Sequence, residues 1–207
     1  MDVAIIGTGN VGGALARSLA KAGHTVTITS TSAEEAKAIA DEVGGTAVGS
    51  NREAARAGDV VIPAVYFDSL AGILDEIREA LEGKILIDVT NRMGDTPGSV
   101  VDGTSNAEMI QKRIPQARVV KAFNTVFAAR QADPQVDGMP VDVFIAGDDE
   151  VARKTVSELA SSMGMNPVDA GPLDSARILE AMAVLNIWLN MQGGTWQNAW
   201  KLVEPSE

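Results

Sequence analysis

The chain has 207 residues, 45% hydrophobic and 22% charged, and its formal net charge of −11 argues against nucleic-acid binding, which needs a basic surface. It contains no cysteine and a single histidine, His24, which excludes disulfides and thiolate metal sites and argues against a histidine-built zinc site. The chain shows no basic leader before its first apolar run and no apolar stretch of membrane-spanning length, so we expect a cytoplasmic protein without a membrane or nucleic-acid partner.

Short β-branched runs alternate with helical patterns along most of the chain. Strands are predicted at residues 3–6, 25–29, 46–48, 60–62, 85–87, 119–122, 141–145 and 166–169. Helices are predicted at residues 11–22, 33–43, 51–57, 68–81 and 150–163. This rhythm predicts an α/β fold of the Rossmann type, with a doubly wound, mostly parallel sheet that helices cover on both faces.

Two segments break the rhythm. Residues 91–105 hold four glycines or prolines and are predicted to form a long loop that could cover a bound ligand. Residues 175–192 are apolar on nearly every side, which predicts a helix buried in the fold or in a subunit interface. A short amphipathic tail with Trp196 and Trp200 on one helical face should follow. We therefore predict a dinucleotide-binding domain over 1–170 and a C-terminal helical extension over 171–207.

A glycine-rich fingerprint follows the first predicted strand and opens the first predicted helix. It fits the pattern G-x-G-x-x-G, in which the glycines permit a tight turn, a close approach of the pyrophosphate and close helix packing. The free N–H groups at the helix N-terminus would face the phosphates. The alternative is that the glycines only shape a strand-to-helix turn. The predicted cofactor-binding residues are Gly7, Thr8, Gly9, Asn10, Val11 and Gly12.

The end of the second predicted strand indicates which nicotinamide cofactor binds. An acid here would accept both ribose hydroxyls of NAD(H) and would repel a 2′-phosphate. This chain instead offers the hydroxyls of Ser30, Thr31 and Ser32, and Lys37 lies about one turn into the next helix. These groups favour NADP(H), because they can donate to a phosphate. The alternative is that Ser32 only caps a solvated helix.

Four segments of the chain, GTGNVGGALARSLAKAGHTV, VVKAFNTV, GDDEVARK and NPVDAGPLDSARILE, resemble the F420-dependent NADP oxidoreductase family. More distantly, the chain resembles the nucleotide-binding domains of six-transmembrane metalloreductases. The resemblance implies hydride transfer between NADP(H) and coenzyme F420 or a flavin-like acceptor, and a homodimer built through the C-terminal helix. Family members commonly carry an arginine where this chain has Thr31, so we expect weaker discrimination against NADH.

The resemblance also implies positions around the nicotinamide. The residues that would line its ribose follow the fourth and fifth strands, and they are Pro63, Ala64, Val65, Tyr66, Thr90 and Asn91. Ala122 would lie beside the ring, and Asn124 and Thr125 would orient the acceptor by hydrogen bonds. Deazaflavin reductases tend to carry histidine at the position of Asn124, so the acceptor stays open. The alternatives are reduction of a small carbonyl, imine or quinone compound, or NADP(H) binding without catalysis.

Overall fold

The computed structural model describes residues 1–96, 98–100 and 103–203. The strands are β1 (Asp2–Ile6), β2 (Thr25–Thr29), β3 (Thr46–Ala47), β4 (Val60–Pro63), β5 (Ile85–Asp88), β6 (Arg118–Lys121), β7 (Gln135–Val136), β8 (Met139–Pro140), β9 (Asp142–Gly147) and β10 (Asn166–Asp169). The helices are α1 (Asn10–Lys21), α2 (Ala33–Val43), α3 (Asn51–Ala57), α4 (Phe67–Ile77), α5 (Asn106–Arg113), α6 (Ala128–Ala132), α7 (Glu150–Ser162) and α8 (Ala176–Met191). Short 3₁₀ turns extend α4 over Arg78–Leu81 and precede α8 over Leu173–Ser175.

Eight strands form one twisted sheet in the order β10-β9-β6-β5-β4-β1-β2-β3. From β3 to β6 every neighbouring pair is parallel, while β9 runs antiparallel to β6. The predicted Rossmann-type, mostly parallel sheet is therefore confirmed. Strand β1 lies between β2 and β4, and this reversal of strand order opens a crevice at the carboxyl ends of the strands.

Both faces of the sheet are buried, which explains why its central strands are apolar at nearly every position. Alternate side chains of a strand point to opposite faces, so Ile5 and Ile62 join the cluster under α1, α2 and α7. Ile6 and Val61 join the cluster under α3, α4 and α5. Every residue of β4 is buried. The sheet is thus a rigid platform for the loops at its carboxyl edge.

The structure adds helix α5, which the periodicity did not predict. Ser105 and Glu108 form a capping box at its N-terminus, and this Ser-x-x-Glu pattern is a recognisable signal for a helix start. The predicted helical tail, in contrast, is wrong. Residues 192–203 are irregular, and Trp196 has a φ of 58°, which is incompatible with a right-handed helix. Trp196 packs instead on Phe127, with ring centroids 5.3 Å apart.

Helix α8 is present where it was predicted, but its buried side mixes apolar and polar residues and its exposed side carries large apolar ones. Its buried side includes the polar residues Glu180, Asn186 and Asn190. Apolar side chains such as Ile178 and Leu189 are 64% and 51% exposed. Across the described residues, no helix combines the length and apolarity that crossing a membrane requires.

Candidate functional site

The glycine loop between β1 and α1 is shaped by close backbone contacts. Gly7 has a φ of +108°, and a Cβ there would lie 2.5 Å from the Ala64 carbonyl oxygen. A Cβ on Gly12 would lie 2.1 Å from the carbonyl oxygen of Gly7. Both glycines are therefore required by the turn itself and by the packing of α1 against it.

Gly9 has no such reason within the protein to be glycine. Its φ and ψ of −62° and −173° are extended, a conformation that every L-residue adopts. A Cβ at Gly9 would meet no atom within 4 Å. Gly9 lines a surface cavity of about 480 Å³ together with Thr8 and Asn10. Because Gly9 has no side chain, a ligand in this cavity could approach its backbone closely.

The N-terminus of α1 faces this cavity without a side-chain cap or an acid in its first turn. Helices α2, α3, α5 and α7 each have a capping side chain and an acid in the first turn. The first N–H groups of a helix need partners, and its dipole attracts negative charge. The start of α1, at Asn10 and Val11, is thus the kind of helix end that attracts an anion.

The predicted 2′-phosphate residues separate into two groups. Thr8 Oγ1 lies 2.8 Å from Ser30 Oγ and 3.0 Å from a carboxylate oxygen of Glu35, which also lines the cavity. Ser32 caps α2 by accepting from the Glu35 N–H, and Thr31 is exposed. Lys37 lies outside this group, because its ammonium is bound to Asp41 at 2.6 Å.

The loop after β4 closes one side of the glycine turn. Ala64 contacts the position where Gly7 or Gly12 would carry a Cβ, and the Ala64 N–H donates to the carbonyl of Ile6 at the end of β1. Tyr66 immediately precedes α4 and is 89% exposed. Pro63 is the last residue of β4, and the Val65 side chain packs against the Gly7 position.

The carboxyl ends of β5 and β6 meet through a pair of amides. Asn124 Nδ2 donates to Asn91 Oδ1 and to the Leu179 carbonyl of α8, both at 2.9 Å. Asn91 Nδ2 donates back to the Asn124 carbonyl at 3.3 Å. Among the described residues, Asn124 Oδ1 and Thr125 Oγ1 are buried without a hydrogen-bond partner. Two polar atoms at one strand end thus have unused hydrogen-bonding capacity.

A strained backbone residue precedes these amides. Phe123 has a φ of 62°, which is rare for an aromatic residue, and its side chain is fully buried. Phe123 stands between Ala122, which directly follows β6, and Asn124. Such strain persists only where surrounding contacts enforce it, and it concentrates at functional sites.

Comparison with known proteins identifies the family. The model of the family described as "NADP oxidoreductase coenzyme F420-dependent" matches residues 2–92. The F420-dependent NADP reductase of Methanocaldococcus jannaschii is 33% identical, over 93% of this chain and 93% of that protein. This chain belongs to that family.

Two further relatives differ in how much of their own length this chain covers. A solved structure described as a candidate F420-dependent NADP reductase from Arthrobacter sp. FB24 is 29% identical, with a TM-score of 0.84, and the match covers 98% of this chain and 99% of that one. Metalloreductase STEAP3 of Rattus norvegicus is 36% identical over 87% of this chain but only 36% of its own length. The chain therefore spans about a third of that relative and nearly all of the reductases.

This member of the F420-dependent NADP reductase family has a buried ionic network that the sequence analysis did not predict. Lys121 Nζ donates to Asp88 at 2.7 Å, to Glu180 at 2.6 Å and to the Thr90 carbonyl at 2.6 Å. The lysine and aspartate side chains are fully buried. The network lies beneath Thr90 and Asn91, so it joins the two strand ends to α8. The sequence signal for this network was Lys121, a charged residue that directly follows the two buried valines of β6.

Glu180 is the α8 residue of this network. It also accepts from the backbone N–H groups of Asn106 at 2.8 Å and Arg92 at 3.2 Å. Burial raises the pKa of the Glu180 carboxyl, and the charge of Lys121 opposes that rise. All the groups bound to Glu180 are donors, so the geometry suits the ionised form. The network thus places one basic and two acidic side chains in a buried position between the two strand ends and α8.

Glu108 and Arg177 make a second connection between α5 and α8, and this one predicts a pH dependence. The Arg177 guanidinium, assisted by the Ser105 N–H and hydroxyl, holds the pKa of Glu108 at about 2, against an ordinary value of 4.5. A carboxyl with a depressed pKa contributes stability that is complete above its unfolded value and is lost as the pH falls through its folded value. We expect the free energy of unfolding to fall between about pH 5 and pH 2, less steeply in Glu108→Gln.

Denaturant unfolding at fixed protein concentration across this pH range measures the effect. Glu158→Gln, at an exposed position on α7, is the control, and its free energy of unfolding should fall with pH as steeply as that of the wild type. A wild-type slope in Glu108→Gln as well would contradict the prediction.

Proposed function

We propose that this protein transfers a hydride between NADP(H) and coenzyme F420. The observation that supports this most directly is Gly9, a glycine that the fold does not require, facing a cavity at the uncapped N-terminus of α1. Relatives named F420-dependent NADP reductase match over nearly the whole chain. The activity in their names and the uncapped start of α1 point to the same reaction class, that of an NADP(H)-dependent oxidoreductase.

The residues present fit the pyrophosphate of a dinucleotide. The N–H groups at the start of α1 would bind its oxygens, and Gly9 would permit their approach. Thr8 and Ser30 would lie toward the adenosine ribose, with Thr31, Ser32 and Lys37 assigned to the same region. When bound, the nicotinamide supplies or receives the hydride, and the protein contributes binding, orientation and exclusion of water.

The strand ends beside the glycine loop would hold the nicotinamide half and the acceptor. We assign Pro63, Ala64, Val65, Tyr66, Thr90, Asn91 and Ala122 to the nicotinamide ribose and ring. The unpartnered oxygens of Asn124 and Thr125 would position the acceptor. The side-chain Nδ2 of Asn124 already donates to Asn91 and to the Leu179 carbonyl, so the free hydrogen-bonding atom of this side chain is its oxygen, Oδ1. No acid or base is assigned, since hydride transfer between two heterocycles requires orientation above all.

The proposal extends to assembly and organisation. Residues 1–170 would form the dinucleotide-binding domain and 171–207 a C-terminal extension, of which 204–207 lie outside the described residues. Ile178, Leu185 and Leu189 project from α8 and are largely exposed, which supports a homodimer built through this helix. The predicted loop over residues 91–105 would cover the acceptor, although positions 97, 101 and 102 lie outside the described residues. A cytoplasmic location stays a prediction.

The test is reduction of purified coenzyme F420, followed as loss of deazaflavin absorbance with NADPH and, in parallel, with NADH. We expect turnover with NADPH in wild-type protein. Gly9→Val should strongly reduce turnover at NADPH concentrations that nearly saturate the wild type, because its side chain would fill the pyrophosphate approach. Tight NADPH binding without reduction of F420, FMN, FAD, a quinone or a small imine would instead indicate a binding module. Absence of NADPH binding would contradict the proposal entirely.

A further inference from the structure

The hydroxyl groups of Thr8 and Ser30, which follow β1 and β2, already form hydrogen bonds that lead to a carboxylate of the protein itself, that of Glu35. A carboxylate only accepts and a hydroxyl has one proton, so Thr8 donates to Glu35 across 3.0 Å and Ser30 donates to Thr8 across 2.8 Å. The Ser32 N–H in turn donates to Ser30 Oγ at 3.3 Å. These three donors are oriented in series toward the Glu35 carboxylate. Glu35 thus already accepts the hydrogen bond from Thr8 that an incoming phosphate would compete for.

The nearby cations do not offset this carboxylate. Arg17 lines the same cavity, but its guanidinium donates to both carboxylate oxygens of Glu42, at 2.7 and 2.8 Å. Lys37 is bound to both oxygens of Asp41. A 2′-phosphate entering this corner would therefore meet the Glu35 carboxylate and one cation, Arg17, that is already paired with Glu42. A free ribose 2′-hydroxyl, in contrast, could donate to Glu35.

We propose that Glu35 narrows the preference of this protein for NADPH over NADH, by accepting a hydrogen bond from the ribose of NADH and opposing the 2′-phosphate of NADPH. The consequence is that NADH remains a usable cofactor. Glu35 follows the strand end by several residues and sits in the first turn of α2, so it does not occupy the position of the usual ribose-binding acid. This inference rests on the proposed dinucleotide site but is independent of the acceptor.

Equilibrium binding of NADPH and NADH, measured by calorimetry without any acceptor, tests the inference. Glu35→Gln should bind NADPH about tenfold more tightly than wild type and NADH more weakly, because it removes one charge and keeps the shape. Glu35→Lys should extend the shift in the same direction. Glu34→Gln is the matched control, since it removes an equal charge from the same exposed helical turn. That control should leave the NADPH-to-NADH ratio near the wild-type value.

Salt dependence separates an electrostatic role from a structural one. The gain in NADPH affinity should shrink as the ionic strength rises, because Glu35 is exposed and its charge is screened. An unchanged cofactor ratio in Glu35→Gln, or an equal change in Glu34→Gln, would overturn the inference. A shifted ratio in a protein that fails to reduce F420 would support it and would contradict only the proposed acceptor. Failure of wild-type protein to bind either cofactor would overturn both.

Discussion

Lys121→Met is expected to lower the free energy of unfolding by about 3–5 kcal/mol, the usual cost of removing one partner from a buried ion pair. The substitution keeps the length and apolar character of the side chain but leaves the carboxylates of Asp88 and Glu180 without their shared cation. Both carboxylates are buried, so water cannot replace the ammonium without opening the structure. The measurement is denaturant unfolding at one protein concentration, because dimerisation would make stability concentration-dependent.

Lys84→Met supplies the control for this prediction. Lys84 Nζ donates to the carbonyls of Ala55, Arg56 and Gly58 at the end of α3, and within the part of the chain that the structure describes it forms no salt bridge. Its loss should cost about 1–2 kcal/mol, because only neutral acceptors are left unpaired. Adding Glu180→Leu to Lys121→Met should recover part of the loss by removing one unpaired charge. A Lys121→Met protein within about 1 kcal/mol of wild type would show that the network does not stabilise the fold.

Gly9→Val is expected to weaken dinucleotide binding on the order of a hundredfold while leaving the fold intact. The lost affinity corresponds to two hydrogen bonds from backbone N–H groups to a charged phosphate, each worth about 1.5 kcal/mol. The fold should be unaffected because a Cβ at this position meets no protein atom within 4 Å and the backbone conformation suits any residue. Calorimetric titration with NADPH measures the first effect, and thermal unfolding measures the second.

Gly12→Ala is the matched contrast, since its added Cβ would collide with the Gly7 carbonyl oxygen. It should lower the thermal midpoint even without cofactor, whereas Gly9→Val should not. Gly9→Val protein that binds NADPH as tightly as wild type would show that the pyrophosphate does not lie over this residue. The pair of variants thus separates the glycine that shapes the loop from the glycine that admits the ligand.

The Rossmann-type sheet could be predicted from the sequence because its evidence is local. A strand buried on both faces must be apolar at successive positions, as β1 and β4 are, and a glycine-rich turn between such a strand and a helix has few alternatives. The same locality explains the correct placement of α2, whose cap Ser32 precedes its first turn. The prediction of a helical tail was wrong for the converse reason. Two tryptophans four residues apart satisfy a helical pattern, but Trp196 packs on Phe127, which is distant in sequence.

By itself, then, the sequence determined the fold class, the family and the glycine loop, since each depends on residues adjacent along the chain. Only the tertiary structure decided which charges meet. Lys121 joins Asp88 and Glu180 across 33 and 59 positions, and Glu35 reaches Thr8 across 27. Lys37, which spacing alone could place near a phosphate, binds Asp41 one turn along its own helix. Hydrogen bonds form between groups that folding brings within about 3 Å, and no local pattern encodes that distance.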